Sequence, residues 1–185
     1  VSVASLAEDI PVVTMNGLSK SHFLCGYRCG WMVMSGPKNL TEDYRQGIVQ
    51  LTSMRLSANA LAQIVIPAAL EDMETPFSMV KPGGRIYEQR EVAVGELEKI
   101  DGLSFVKNNS AFYIFPKLDV KKFHITDDKQ FARELLHETN ILIVPGSGFD
   151  WNCPDHFRIV LLPEAGVLRD AIKCMGKFLD GYRQR

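Results

Sequence analysis

Hydrophobic and polar positions follow two rhythms along the chain: short β-branched runs near the start and helix-period stretches after them. Ile10-Pro11-Val12-Val13-Thr14-Met15 is an apolar run closed by Asn16-Gly17, and Gly30 to Met34 is a second. Both have the length and turn-forming flanks of strands. From Asn39 to Met73 the pattern turns helical, with Gly47 and Pro67 as the expected interruptions. Lys81-Pro82-Gly83-Gly84 breaks it, and Ile86 to Ile100 resumes as one charged amphipathic helix. Beyond Asp101-Gly102 the pattern predicts strands at Ser104 to Val106 and Ala111 to Phe115, then a helix from Asp127 to Glu138. Strands at Ile141 to Val144 and Phe157 to Leu161 follow, and a last helix from Pro163 to Tyr182. Thr126-Asp127-Asp128-Lys129 suits a helix start, and Pro163-Glu164 puts a proline and an acid in a first turn, where both are favoured. The later part of the chain reads as an α+β unit.

Candidate chemistry gathers just past the first strand. Lys20 follows the turn at Asn16-Gly17, and Arg28 lies eight residues further on, inside Gly26-Tyr27-Arg28-Cys29-Gly30. A lysine of ordinary pKa, about 10.4, is a free amine in only about one molecule in a few thousand at pH 7. A lysine that acts as a nucleophile is therefore perturbed, or already condensed with a carbonyl. The carboxyl end of a strand is where open α/β sheets bind ligands, and this is where Lys20 sits. Arg28 supplies a planar positive fork suited to phosphate or carboxylate, and Ser19 a hydroxyl within local reach of the same anion. Taken alone, Lys20 fits a solvated loop and Arg28 an ordinary ion pair. Arg158, set in the apolar run His156-Phe157-Arg158-Ile159-Val160, needs a partner; a bound carboxylate and an internal Asp or Glu are the two choices.

The run Gly17-Leu18-Ser19-Lys20-Ser21-His22-Phe23-Leu24-Cys25-Gly26-Tyr27-Arg28-Cys29-Gly30 resembles the lysine signature of class I pyridoxal-phosphate aminotransferases. Phe23 and Cys29 replace smaller or aliphatic residues, and neither change removes a reactive group. Val144-Pro145-Gly146-Ser147-Gly148-Phe149 with Asp155-His156-Phe157-Arg158-Ile159-Val160 is similar to the same family's closing signature. Ser110 to Lys117 resembles the strand that opens its small domain, with Ser110 where Gly is commoner. Trp31 to Pro37 and Ser53 to Leu56 resemble the bacterial alanine transaminase branch. The resemblance covers essentially the whole chain.

That resemblance implies an α/β fold in two parts. Residues 1–99 would be the carboxyl-terminal part of a large cofactor-binding domain, a remnant of its parallel sheet and helices with the linking helix; residues 100–185 would be a small α+β domain. It further implies pyridoxal 5′-phosphate held by Lys20, Ser19 and Arg28, with Lys20 catalytic and Arg158 on the substrate's α-carboxylate. The implied reaction moves an amino group from alanine to 2-oxoglutarate. Aspartate or aromatic amino-acid transamination and a non-catalytic interaction domain are the competing readings. Family members are about twice as long, so the chain is expected to be a carboxyl-terminal half, inactive alone. They are homodimers, and Met54 to Asn59 resembles a segment that nears the partner's site, although Ser57-Ala58-Asn59 also suits an interhelical connection.

Composition removes other classes. With 21 basic and 22 acidic residues the net charge is −1, which leaves no electrostatic footprint for nucleic acid. No apolar run reaches the length of a membrane span. Cys25, Cys29, Cys153 and Cys174 lack zinc-type spacing and read as buried or incidental thiols, in keeping with a cytoplasmic setting. His22, His124, His137 and His156 show no ligand spacing, so no metal is expected. Gly146 and Gly148 suit a tight turn rather than a phosphate cradle.

Overall fold

A computed structural model describes all 185 residues. The backbone divides into two compact units, Val1–Phe77 and Ser78–Arg185. In the first, strand β1 (Val12–Gly17) is followed by a single helical turn α1 (Leu18–Ser21), strand β2 (Gly30–Ser35), and helices α2 (Lys38–Arg55) and α3 (Ala60–Glu71). Helix α4 (Glu74–Val80) runs across the division.

β1 and β2 pair antiparallel from Val12↔Ser35 to Gly17↔Gly30. Every strand pair in the chain is antiparallel, so the α/β class holds while the expected parallel pairing is not formed. The reason is the connection: a parallel crossover needs a packed helix, and residues 18–29 hold only α1 and a second short turn at Cys25–Tyr27. Glycine is required where the two strands end. A Cβ on Gly30 would stand 2.9 Å from the Asn16 carbonyl oxygen, and one on Gly17 would stand 3.1 Å from that of Cys29.

Gly47 and Pro67 lie inside α2 and α3 rather than ending them. The break falls between, at Leu56 and Ser57, whose φ values are +54° and +44°. There Asn59 offers a cap, accepting from the Ala62 amide at 3.2 Å and donating to the Tyr27 carbonyl at 3.4 Å. A cap that satisfies an otherwise orphaned amide thus decides the boundary. The buried apolar residues of this unit are Leu18 and Ala62, while Met15, Leu61 and Ile64 are largely exposed.

The second unit carries most of the core. Helix α5 (Arg85–Leu97) leads to β3 (Leu103–Ser104), β4 (Tyr113–Ile114), β5 (Lys117–Leu118) and α6 (Val120–Phe123). Then come α7 (Asp128–Thr139), β6 (Val144–Pro145), β7 (Phe157–Val160) and α8 (Ala165–Gly181). The sheet order is β4-β7-β6, with β3 and β5 paired separately. One sheet face is apolar: Phe112, Ile114, Phe157, Ile159 and Leu161 are buried. α8 buries Leu168, Ile172, Met175 and Leu179, a stripe at helical spacing, and α5 buries Ile86, Ala93, Val94 and Leu97. Phe131 of α7 joins the layers, its ring 5.8 Å from Phe157 and 5.6 Å from Tyr182.

Helix α5 packs on α8, which places it with the second unit, whereas the sequence suggests a division at residues 99–100. β5 and α6 were not expected from the pattern. Asp119 creates α6 by accepting from the amides of Lys121 and Lys122, both at 3.0 Å, in a run too short for a periodicity to register.

The end of the chain locks the start of α7. Gln184, 7% exposed, accepts from Thr126 N, Thr126 Oγ1 and Asp127 N through Oε1, and donates from Nε2 to the Asp127 carbonyl at 2.7 Å. Gln184→Ala leaves those groups short of partners and is expected to cost about 2 kcal/mol, read as a lower thermal midpoint; an unchanged midpoint would contradict this role.

Candidate functional site

β1 delivers Asn16 and Gly17 to the start of α1, and the antiparallel return through β2 brings Arg28, Cys29 and Gly30 back beside them. The result is an open cavity of about 570 Å³ lined by these residues together with Ser19, Lys20 and Ser21. Three of the residues singled out in the sequence, Ser19, Lys20 and Arg28, thus share one cavity. Leu18 anchors it, being 1% exposed, and leaves Lys20 on the open side. Ser21 is turned to local structure: its hydroxyl donates to the Gly17 carbonyl at 3.2 Å and lies 2.9 Å from His22 Nδ1. Arg28 takes a left-handed backbone, φ +54°, and donates one N–H to the Cys25 carbonyl at 2.8 Å. A guanidinium has five N–H donors, so most of its capacity remains for an anion. No aspartate or glutamate lines the cavity.

Arg158 belongs to the second unit. Alternation along β7 buries Phe157 and Ile159 and puts Arg158 on the opposite face of the sheet. Its guanidinium carbon lies 4.4 Å from the centre of the Tyr113 ring and 4.3 Å from that of Phe149. Its Nε is buried without a hydrogen-bond partner, and no carboxylate of the chain stands within ion-pair distance. Of the two partners open to it from the sequence, the internal acid is absent.

Next to it, Asp155 is tied to the same sheet face. Its Oδ1 accepts from Trp151 Nε1 at 2.8 Å and lies 2.6 Å from His156 Nδ1, while Oδ2 is 3.5 Å from Lys117 Nζ. The His156 ring stacks on Phe115 at 4.8 Å. Burial pushes the Asp155 carboxyl up, but the hydrogen bonds from His156 and Trp151 and the charges of His156 and Lys117 outweigh it, leaving it below the usual carboxylate range.

Residues 1–172 match the family model described as aminotransferase class I and II. The chain belongs to that family. It is 44% identical over 98% of its length to the glutamate-pyruvate aminotransferase AlaA of Haemophilus influenzae, and 44% identical over its full length to the alanine aminotransferase of Mycobacterium bovis. It spans 45% and 43% of those relatives' lengths. An Escherichia coli aminotransferase structure matches the fold with a TM-score of 0.96 at 43% identity, covering all of this chain and 46% of the other. The alanine aminotransferase of Pyrococcus furiosus gives 0.87 at 36%, covering 97% of this chain and 45% of that one. The aminotransferase resemblance read from the sequence is thereby met at the level of family and fold.

Tyr113 and Phe149 lie in the runs that carry the resemblance, but no role was read for them in the sequence. Their alternation with buried neighbours was visible, but their meeting at Arg158 depends on the pairing Tyr113↔Val160 and Val144↔Arg158, which no local pattern states. The four cysteines are free, and Cys25, Cys153 and Cys174 are exposed, so burial does not explain them.

Because Asp155 titrates lower folded than unfolded, its contribution to stability is present above about pH 4 and is lost as pH falls through the folded value. Asp155→Asn is expected to melt earlier than the parent at pH 7, with the gap narrowing as pH falls below about 4. A gap of constant size across that range would refute the assignment.

Proposed function

We propose that this chain carries the lysine and arginine machinery of an enzyme that transfers the amino group of alanine to 2-oxoglutarate, giving pyruvate and glutamate, with pyridoxal 5′-phosphate as cofactor. The observation that carries this reading is the meeting of Ser19, Lys20 and Arg28 on one cavity without a carboxylate. The choice of alanine follows from the names of the relatives at 43–44% identity. Since the chain spans under half of their length, the activity is assigned to the whole enzyme that contains it.

The donor set fits the cofactor. An amine suits its aldehyde, a hydroxyl and a guanidinium suit its phosphate, and an acid that would repel the phosphate is absent from the lining. Lys20 would hold the cofactor through its Nζ, and Ser19 with Arg28 its phosphate. When bound, the cofactor supplies carbanion stabilisation. Lys20 Nζ, a free amine once the incoming amino group has taken its place, would take the proton from the amino acid's Cα as general base and give it back as general acid. Arg158 grips the α-carboxylate with two parallel N–H bonds, which fixes the direction of the Cα–H bond. With both aromatic faces engaged and no internal acid to compete, its outward edge is the part left to a carboxylate.

The same reading gives residues 1–99 to the cofactor-binding domain and 100–185 to the small domain. It makes the enzyme a homodimer, an assignment supported by the exposed Met15, Leu61 and Ile64 of the thinly cored first unit. A cytoplasmic setting is supported by the four free thiols. No helix is long and apolar enough to cross a membrane.

In the whole enzyme Lys20→Ala is expected to abolish pyruvate formation from alanine, and normal turnover would rule the assignment out. Arg158→Lys keeps the charge and loses the fork. It is expected to raise the KM for alanine roughly tenfold or more with a smaller effect on kcat, and an unchanged KM would remove Arg158 from the carboxylate site.

A further inference from the structure

Asp128 is a carboxylate 5% exposed in the first turn of α7, and no cation of the chain lies within ion-pair distance of it. A buried carboxylate is costly unless its oxygens are satisfied. Asp128 gives both of them to one residue: Oδ2 accepts from the Ser147 backbone amide at 2.7 Å and Oδ1 from the Ser147 hydroxyl at 2.9 Å. The helix amino end stabilises the charge further.

Ser147 is the second residue of a single turn, Gly146–Phe149. The turn's first residue is tied to the sheet, where the Gly146 amide donates to the His156 carbonyl at 2.8 Å and leaves no room for a Cβ, which would stand 2.9 Å from that oxygen. Phe149 closes the turn and lies against the Arg158 guanidinium at 4.3 Å. Phe149 is 44% exposed and meets Phe115 edge-on at 6.2 Å, so little core packing holds it and the turn sets where it stands. Arg158 in turn has a buried Nε without a partner and no acid to orient it, leaving the two rings as the groups that fix its plane.

We propose that Asp128 is a positioning residue for Arg158: through its clamp on Ser147 it sets Phe149 against the guanidinium and so fixes the plane in which that guanidinium meets a carboxylate. The inference rests on the reading of Arg158 as the substrate-carboxylate group.

The test uses the whole enzyme, with steady-state kinetics for alanine and calorimetric binding of glutarate, a dicarboxylate that cannot react. Asp128→Ala is expected to raise the KM for alanine and the Kd for glutarate roughly tenfold while kcat changes less than about threefold. Asp128→Asn is expected to restore both, because its Oδ1 accepts from the Ser147 amide and its Nδ2 donates to the Ser147 hydroxyl. Phe149→Ala should match Asp128→Ala, and the double variant should be no worse than Phe149→Ala alone. Additive effects, an unmoved KM and Kd, or an Asn variant as impaired as the Ala variant each overturn the proposal. If Asp128→Ala fails to fold, Ser147→Ala and Phe149→Leu carry the same comparison. Arg158→Lys separates the two layers: weaker glutarate binding there, with none from Asp128→Ala, sinks the positioning role alone. Unchanged glutarate binding in Arg158→Lys sinks the carboxylate reading, and the proposal with it.

Discussion

The close approach of two backbones at Gly17 and Gly30 is the constraint on which the candidate site depends. With no side chain on either residue, β1 and β2 can stay paired to their last residues, and the loop between them is drawn shut. Closure at that point puts Lys20, one turn past β1, and Arg28, two residues before β2, on the walls of one cavity. An alanine at Gly30 would press against the Asn16 carbonyl and force the strand ends apart. The side chains that line the cavity are thus placed by residues that have none.

Arg158 is placed by a different device. Its strand holds two buried neighbours on the core side, and the opposite face carries a run of rings and charges: Tyr113, Arg158, Phe149, Phe115, His156 and Trp151. Aromatic faces compensate a guanidinium's charge without occupying its N–H donors, which an internal carboxylate would do. That difference separates an arginine kept for an incoming anion from one spent on structure. Lys20 and Arg28 lie in the first compact unit, whose core is thin, and Arg158 lies in the second, whose core is deep.

Much of this was legible in the sequence, and the omissions have physical causes. Apolar periodicity over many residues marks α5, α7 and α8, because burial of one face repeats through each of them. The spacing of Lys20 and Arg28 was readable because both lie within one local loop. Asp119 and α6 escaped because a four-residue helix has no period to detect, and Leu56 because a positive φ at a leucine has no compositional sign. The antiparallel pairing of β1 and β2 was missed since strand direction is set by what fills the connection. Partners of Arg158 could not be read because they come from two separate stretches of chain, brought to it by sheet register and a turn.

Whether Lys20 is the amine that holds the cofactor is decided by recording the visible absorption of the whole enzyme with pyridoxal phosphate, reducing it with borohydride and weighing its peptides. The expected result is a visible band that reduction abolishes and a pyridoxyl mass on the peptide containing Lys20. No band, or the mass on a different lysine, would contradict it.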